Sequence, residues 1–260
     1  MSSPSGPTPV DGVAGARVAL VTGAGQGVGR GVAGALAAAG LAVAVNDLDP
    51  ARAEAVVSAV VAQGGVAVPV PFDVSDAAAV ADGVAAVAES LGEVDVLVNN
   101  AGKGGQHGIG RSLFVDSGPE HWDGPMAVDY RGVVHCTRAV LPGMCARGWG
   151  RVISVASDAG TVGMPIGVSA YGAAKGAVIA LMRHLAVEVG PQGVTVNTIA
   201  LGHMAGAVDD EYRAAVVTRV PRRRLGRPED VGALCGYLAS DAADWMTGQS
   251  IHLNGGEVTS

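Results

Sequence analysis

The sequence predicts a doubly wound α/β fold, a parallel sheet of about seven strands with helices on both faces, and three observations predict it. Short Val-rich runs alternate with longer Ala-rich stretches along nearly all of the 260 residues. The runs are continuously apolar, as strands buried on both faces must be. A glycine-rich segment follows the first run directly and opens the first helical pattern. With 49% hydrophobic residues the chain can fill one large core. Its 40 glycines and 3% aromatics point to a core packed through close backbone approach, with few large rings.

The strands read, in order, as RVALVT (17–22), AVAVN (42–46), VAVPVP (66–71), VDVLVN (94–99), RVISVA (151–156), VTVNTI (194–199) and SIHLN (250–254). Helices fit between them, with Gly40 and Gly64 as the residues that end two of these. Residues 1–14, rich in Ser, Pro and Gly, read as a flexible tail without the basic start and apolar run of a signal peptide. Residues 15–260 then form one domain, with no repeat and no interior linker.

Charge and cysteine content exclude several function classes. A formal charge of −7, with only a short arginine cluster at Arg222, Arg223, Arg224 and Arg227, argues against a nucleic-acid partner. Those arginines read as solvated or in subunit contacts, with a carrier or CoA phosphate as the alternative. The uncharged run between Arg30 and Asn46 is Ala- and Gly-rich and short of the roughly 20 residues of a membrane span. Cys136, Cys145 and Cys235 are scattered, without disulfide or thiolate-metal spacing, which suits a reducing cytoplasm. The six histidines show no ligand spacing, so no metal site is expected; His107 and His203 read as loop residues.

Ligands of such a sheet bind at the carboxyl ends of the strands. There, VTGAGQGVGR sets Gly23, Gly25, Gly27 and Gly29 between a strand and a helix, where bare backbone and a helix N-terminus suit a pyrophosphate. Asp47, 18 residues beyond Gly29 at the end of the second strand, is placed for an adenosine ribose diol and would repel a 2′-phosphate. This favours NAD over NADP, as does Gln26 where an arginine would serve a phosphate. Asp47 could instead cap the next helix, though Asp49 suits that role better. Asp73 follows the third strand, where it could accept from an adenine amino group, and Asn99 and Asn100 follow the fourth, where they could tie loops together. Turn chemistry is the alternative for each.

The fifth strand ends at Ser157, and the next helix carries Tyr171 and Lys175, one of only two lysines. A spacing of four stacks phenol and ammonium on one helix face, where both can act on one atom. With TGAGQGVG, NNAG, Ser157 followed by YGAAK, and the C-terminal GRPEDVGALCGYLASDAADWMTGQSIHLNGG, the chain resembles the single-domain branch of the short-chain dehydrogenase/reductase family. The resemblance covers nearly everything after the tail.

It implies a Rossmann-fold dehydrogenase interconverting a secondary alcohol and a ketone with a nicotinamide dinucleotide. Tyr171 is then the general acid/base, Ser157 holds the substrate oxygen, and Lys175 lowers the phenol's pKa and binds the nicotinamide ribose. The implied cofactor site comprises Gly23, Gln26, Gly27, Val28, Asp47 and Asp73 on the adenosine side. Val74, Asn100, Ala101, Gly102, Gly202 and Met204 complete it beside Tyr171 and Lys175. A lid near 203–220, a homotetramer and a small alcohol or ketone substrate are further implications. A 3-oxoacyl thioester reductase using NADPH is the alternative enzyme, and a dinucleotide-binding regulator the alternative of another class.

Five features depart from the family pattern. Asp129, seven residues after Trp122, stands where the family carries an asparagine that completes a proton relay, and it joins Ser157, Tyr171 and Lys175 among the catalytic candidates. An ionised carboxylate accepts but cannot donate. The Ser157–Tyr171 interval is one residue longer than the family pattern, and the segment from Lys103 to Phe114 is also a few residues longer. Leu201 and Gly206 replace a common Pro and Thr.

Overall fold

The computed structural model describes residues 15–103, 111–206 and 210–259. The expected tail, His107 and much of the extended segment after Lys103 lie outside them.

Seven strands form one fully parallel sheet: β1 (Val18–Val21), β2 (Ala42–Val45), β3 (Val66–Pro69), β4 (Val94–Asn99), β5 (Gly150–Ser157), β6 (Val194–Leu201) and β7 (Ser250–Leu253). Their spatial order is β3-β2-β1-β4-β5-β6-β7. Every apolar run identified in the sequence is therefore a strand. The chain reverses its direction of travel across the sheet beside β1, whose neighbours are β2 and β4, and a crevice opens there beyond the strand ends.

Strand side chains alternate between two cores. Ala19 and Val21 face one core, against α1 (Gly27–Ala38), α2 (Pro50–Val61) and α8 (Pro228–Ala239). Val18 and Leu20 face the other, against α3 (Ala77–Ser90), α5 (Gly132–Arg147) and α6 (Ser169–Val189). The small residues allow close packing: a Cβ on Gly31 of α1 would lie 2.4 Å from Cβ of Pro228, at the start of α8. Gly40 and Gly64 adopt left-handed φ values of 89° and 83° after α1 and α2, as expected of helix-ending glycines. Asp49 caps α2 by accepting from Ala51 N–H at 3.0 Å, which leaves Asp47 free of that role.

Trp122 and Asp129 do not share one regular helix. Trp122 lies in the short α4 (Pro119–Pro125), which runs into a π-helical turn over Met126–Arg131 before α5 begins. That wider turn carries Asp129. A further helix, α7 (Asp210–Arg219), lies in the segment expected to form the lid. Among the described residues, no helix is long and apolar enough to cross a membrane.

Candidate active site

The strand ends open into a cleft of about 1600 Å³, larger than the roughly 300–1,000 Å³ of a typical small-ligand pocket and roomy enough for two ligands end to end. At one end Gly23, Gln26, Gly27 and Val28 line it, with Asp47 and Asp73 alongside. At the other lie Ser157, Tyr171 and Lys175, and Gly202 and Met204 also line it. Val74, Asn100, Ala101, Gly102 and Asp129 lie between. The catalytic and cofactor-binding residues implied by the family resemblance therefore line one cleft, while Gly25 and Asn99 do not line it.

Two side-chain amides and a hydroxyl hold the glycine loop. Asn46 accepts from Gly23 N–H at 3.3 Å and donates to Val70 and Phe72 carbonyls at 3.1 and 3.0 Å, joining the ends of three strands. Thr22 Oγ1 accepts from Asn100 and Ala101 N–H, both at 3.0 Å, while the Asn100 amide donates to the Thr22 and Gly23 carbonyls at 2.9 Å. The expectation that Asn99 and Asn100 tie loops together fits Asn100 alone: Asn99 donates instead to the hydroxyls of Thr137 in α5 and Ser154 in β5, joining its strand end to a helix and a neighbouring strand. Asn46 and Thr22 went unnoticed as loop supports because their partners are backbone atoms of distant strands.

The residues present fit a dinucleotide. Gln26, the N-cap of α1, makes no side-chain cap bond, and the first turn carries no acidic residue, so the positive end of the helix faces the cleft. A Cβ on Gly27 would meet nothing within 4 Å, whereas one on Gly29 would lie 2.3 Å from the Gly23 carbonyl. The loop thus folds tightly on itself and leaves bare backbone toward the ligand side. Asp47, 7% exposed, accepts from Gly25 N–H at 2.9 Å through one oxygen and Asp49 N–H at 3.0 Å through the other. Its carboxylate is fixed in place before any ligand arrives. Asp73 is engaged in a local turn, accepting from Ser75 N–H and hydroxyl.

At the other end, close backbone contact sets the geometry. Ser157 Oγ accepts from Ala159 N–H at 3.2 Å as the chain turns through a short 3₁₀ segment, Asp158–Gly160, that packs against α6. A Cβ on Gly172 would lie 2.6 Å from the Ala159 carbonyl, so the turn holding Ser157 lies against the helix that holds Tyr171. Lys175 is buried, with Nζ 5.7 Å from the centre of the Tyr171 ring and donating to the Val155 carbonyl at 3.1 Å. Its Nζ is also 3.0 Å from Oδ1 of the fully buried Asp129. Burial alone would lower the lysine's pKa, but the Asp129 carboxylate, with Tyr171 adding, holds it above the ordinary range.

One cluster had no sequence signal. Asp158, next to Ser157 and 1% exposed, is held by His252 Nδ1 at 2.7 Å and by the Asn254 amide at 2.9 Å. Partners some 95 residues apart cannot be paired by spacing. His203, read as a loop residue, faces Glu257 at 3.5 Å. Among the described residues, no group of three or more His, Cys, Asp or Glu side chains is arranged to hold a metal.

A parallel sheet in this order, a glycine loop at its turning point and a Tyr-Lys pair over the fifth strand define a dinucleotide-dependent oxidoreductase. The family model described as "Enoyl-(Acyl carrier protein) reductase" matches residues 23–257, and the chain belongs to the short-chain dehydrogenase/reductase family. It is 39% identical over 254 residues to "Nodulation protein G" of Azospirillum brasilense, covering 92% of this chain and 97% of that protein. It is 38% identical over 244 residues to "3-oxoacyl-[acyl-carrier-protein] reductase FabG" of Staphylococcus aureus, covering 92% and 96%. A solved 3-oxoacyl-[acyl-carrier protein] reductase with bound NAD, from Brucella melitensis, superposes with a TM-score of 0.86 at 33% identity, over 94% of this chain and 92% of that one.

Proposed function

We propose that the protein is an NAD(H)-dependent oxidoreductase interconverting a secondary alcohol and a ketone, with Tyr171 as general acid/base. The observation that carries this reading is the convergence of Ser157, Tyr171 and Lys175 at one end of a cleft whose other end presents Asp47 and an open helix N-terminus. The nicotinamide, when bound, supplies acceptance or return of the hydride carried by the alcohol carbon. In oxidation, Tyr171 as phenolate takes the hydroxyl proton while the O–H electron pair becomes the second carbonyl bond. In reduction, neutral Tyr171 donates that proton to the carbonyl oxygen. Ser157 orients the oxygen through its hydroxyl, and Lys175 stabilises the phenolate.

The preference for NAD rests on Asp47. An ionised, fixed carboxylate accepts from a ribose diol and repels a 2′-phosphate. The bound NAD in the Brucella relative agrees with this choice. Within the same chemistry, the names of the relatives favour a second reading of the substrate, the 3-oxo group of an acyl thioester. The departure at Leu201, which lines the cleft, supports a distinct substrate range. We also propose a homotetramer, on the family resemblance, which analytical ultracentrifugation tests.

The test is reduced-nicotinamide formation or consumption with a panel of secondary alcohols, ketones and 3-oxoacyl thioesters, each with NAD(H) and NADP(H). Substitution Tyr171→Phe should lower turnover by about 10²–10⁴-fold while NAD binding, followed by calorimetry, is kept. Turnover persisting in that variant would remove Tyr171 from the mechanism. Strong thioester activity beside weak activity on simple ketones would select the second reading.

A further inference from the structure

The buried partner of Lys175 bears on the direction of proton transfer. Asp129 is 0% exposed on the π-helical turn before α5, with Oδ1 3.0 Å from Lys175 Nζ and Oδ2 accepting from Lys103 N–H at 3.2 Å. Oδ1 makes no aligned hydrogen bond, so its contact with Lys175 is primarily one of charge. Gly102 permits the approach: a Cβ there would lie 2.5 Å from Oδ1 and 3.4 Å from Nζ. The arrangement is built, since a bulkier residue at 102 would collide with the carboxylate.

A carboxylate in contact with an ammonium leaves the pair without net charge. A phenol beside the pair therefore feels a dipole where a free lysine would present a full positive charge, and in a buried site that difference is weakly screened. The neighbouring ionisable groups do not restore the charge. Asp158 is engaged by His252 and Asn254, and Glu257 by His203 and Arg219. At the cleft mouth, Lys103, Arg111 and Arg131 are accompanied by Asp123. Lys175 and Asp129 are buried, whereas Tyr171 is partly exposed to the cleft.

We propose that Asp129 is a positioning residue that neutralises Lys175 and so withdraws its full positive charge from Tyr171, with the result that alcohol oxidation requires alkaline conditions. The proposal rests on Tyr171 being the acid/base of the reaction. It gives the aspartate a role that an asparagine could not fill, favouring proton donation to a carbonyl over proton removal from an alcohol. Carbonyl reduction then stays level through neutrality while oxidation climbs with pH. Lys175 is held in position by Asp129 and the Val155 carbonyl together.

The experiment is the pH profile of kcat/KM for alcohol oxidation, in the native protein and in Asp129→Asn, with Asp129→Ser as a second variant that also removes the charge. The native profile should still be rising at pH about 8, and each variant should move the limb down by about one pH unit or more. Below the limb, one unit is about a tenfold gain in oxidation rate. Superimposable profiles, in a protein whose Tyr171→Phe variant has lost turnover, would overturn the role of Asp129 and leave that of Tyr171 standing. Should neither variant fold, the native profile decides, because a plateau already reached at neutral pH overturns the proposal. Loss of the Tyr171 role itself would show as retained turnover in Tyr171→Phe.

Discussion

At the residue scale, the proposed preference for NAD centres on the single carboxylate of Asp47. It is held by Gly25 and Asp49 N–H groups, so replacing it changes what the ribose meets without displacing a neighbouring side chain. Asp47→Ser should lower the ratio of kcat/KM for NAD over NADP by about tenfold or more, consistent with roughly 1.5–3 kcal/mol for a charge-assisted hydrogen bond. An unchanged ratio would mean that another residue reads the 2′ position. Arg52 lines the same end of the cleft and pairs with Asp49 at 3.3 Å, making it the next position to substitute.

At the element scale, α8 shows what the sequence hid in its arginine cluster. Arg224, grouped with solvated or interface arginines on composition, makes two contacts with Asp230 in the first turn of α8, at 2.6 and 2.8 Å. Asp230 also accepts from Arg227 N–H at 2.7 Å, joining the preceding loop to the helix start. The Arg224 guanidinium, followed by that backbone N–H, holds the Asp230 carboxyl down to about 2. A depressed carboxylate contributes stability that is present above its unfolded value and lost as pH falls through about 2. Solvent screening keeps that contribution small at so exposed a position. Arg224→Gln should therefore raise the Asp230 pKa toward the ordinary carboxylate range, measured by NMR titration, with little change in melting temperature. The strands, the capping role of Asp49 and the Tyr171–Lys175 spacing were legible because each is local, set by apolar period, by helix-start chemistry or by a four-residue step. Three things were not: the break of the helix between Trp122 and Asp129 by a π-turn, the Asp158–His252–Asn254 cluster, and the burial of Arg151. Arg151 lies in β5 with 0% exposure, 4.3 Å from the Trp149 ring centre and 3.0 Å from Asp244. Each depends on partners that only the assembled sheet brings together.

At the scale of the whole molecule, two cores share one sheet, and each contains a cysteine. Cys235 lies among the residues of α1, α2 and α8, and Cys136 among those of α3, α5 and α6. Burial pushes both thiols up to about 12, so neither is a thiolate at neutral pH, whereas Cys145 is half-buried. Alkylation of the native protein should therefore modify Cys145 first. Cys136 and Cys235 should become reactive together as denaturant is raised, if both faces unfold with the sheet they share. Mass spectrometry of the modified peptides measures this directly, and separate midpoints would show that one face can open while the other holds.

Asp158 has a consequence for how the protein comes into being. Its two side-chain partners lie on the last strand and just beyond it, whereas Asp158 leaves the ribosome close to a hundred residues earlier. The central strand β1 likewise waits for β4, more than seventy residues downstream, before it is flanked on both sides. Long-range parallel pairings of this kind assemble slowly. Throughout synthesis the growing chain carries a carboxylate beside Ser157 without its histidine and amide, and an active-site turn that can be fully clasped only when β7 docks. Catalytic competence should thus appear late and abruptly, at the close of folding, with the C-terminal strand as the element that completes it.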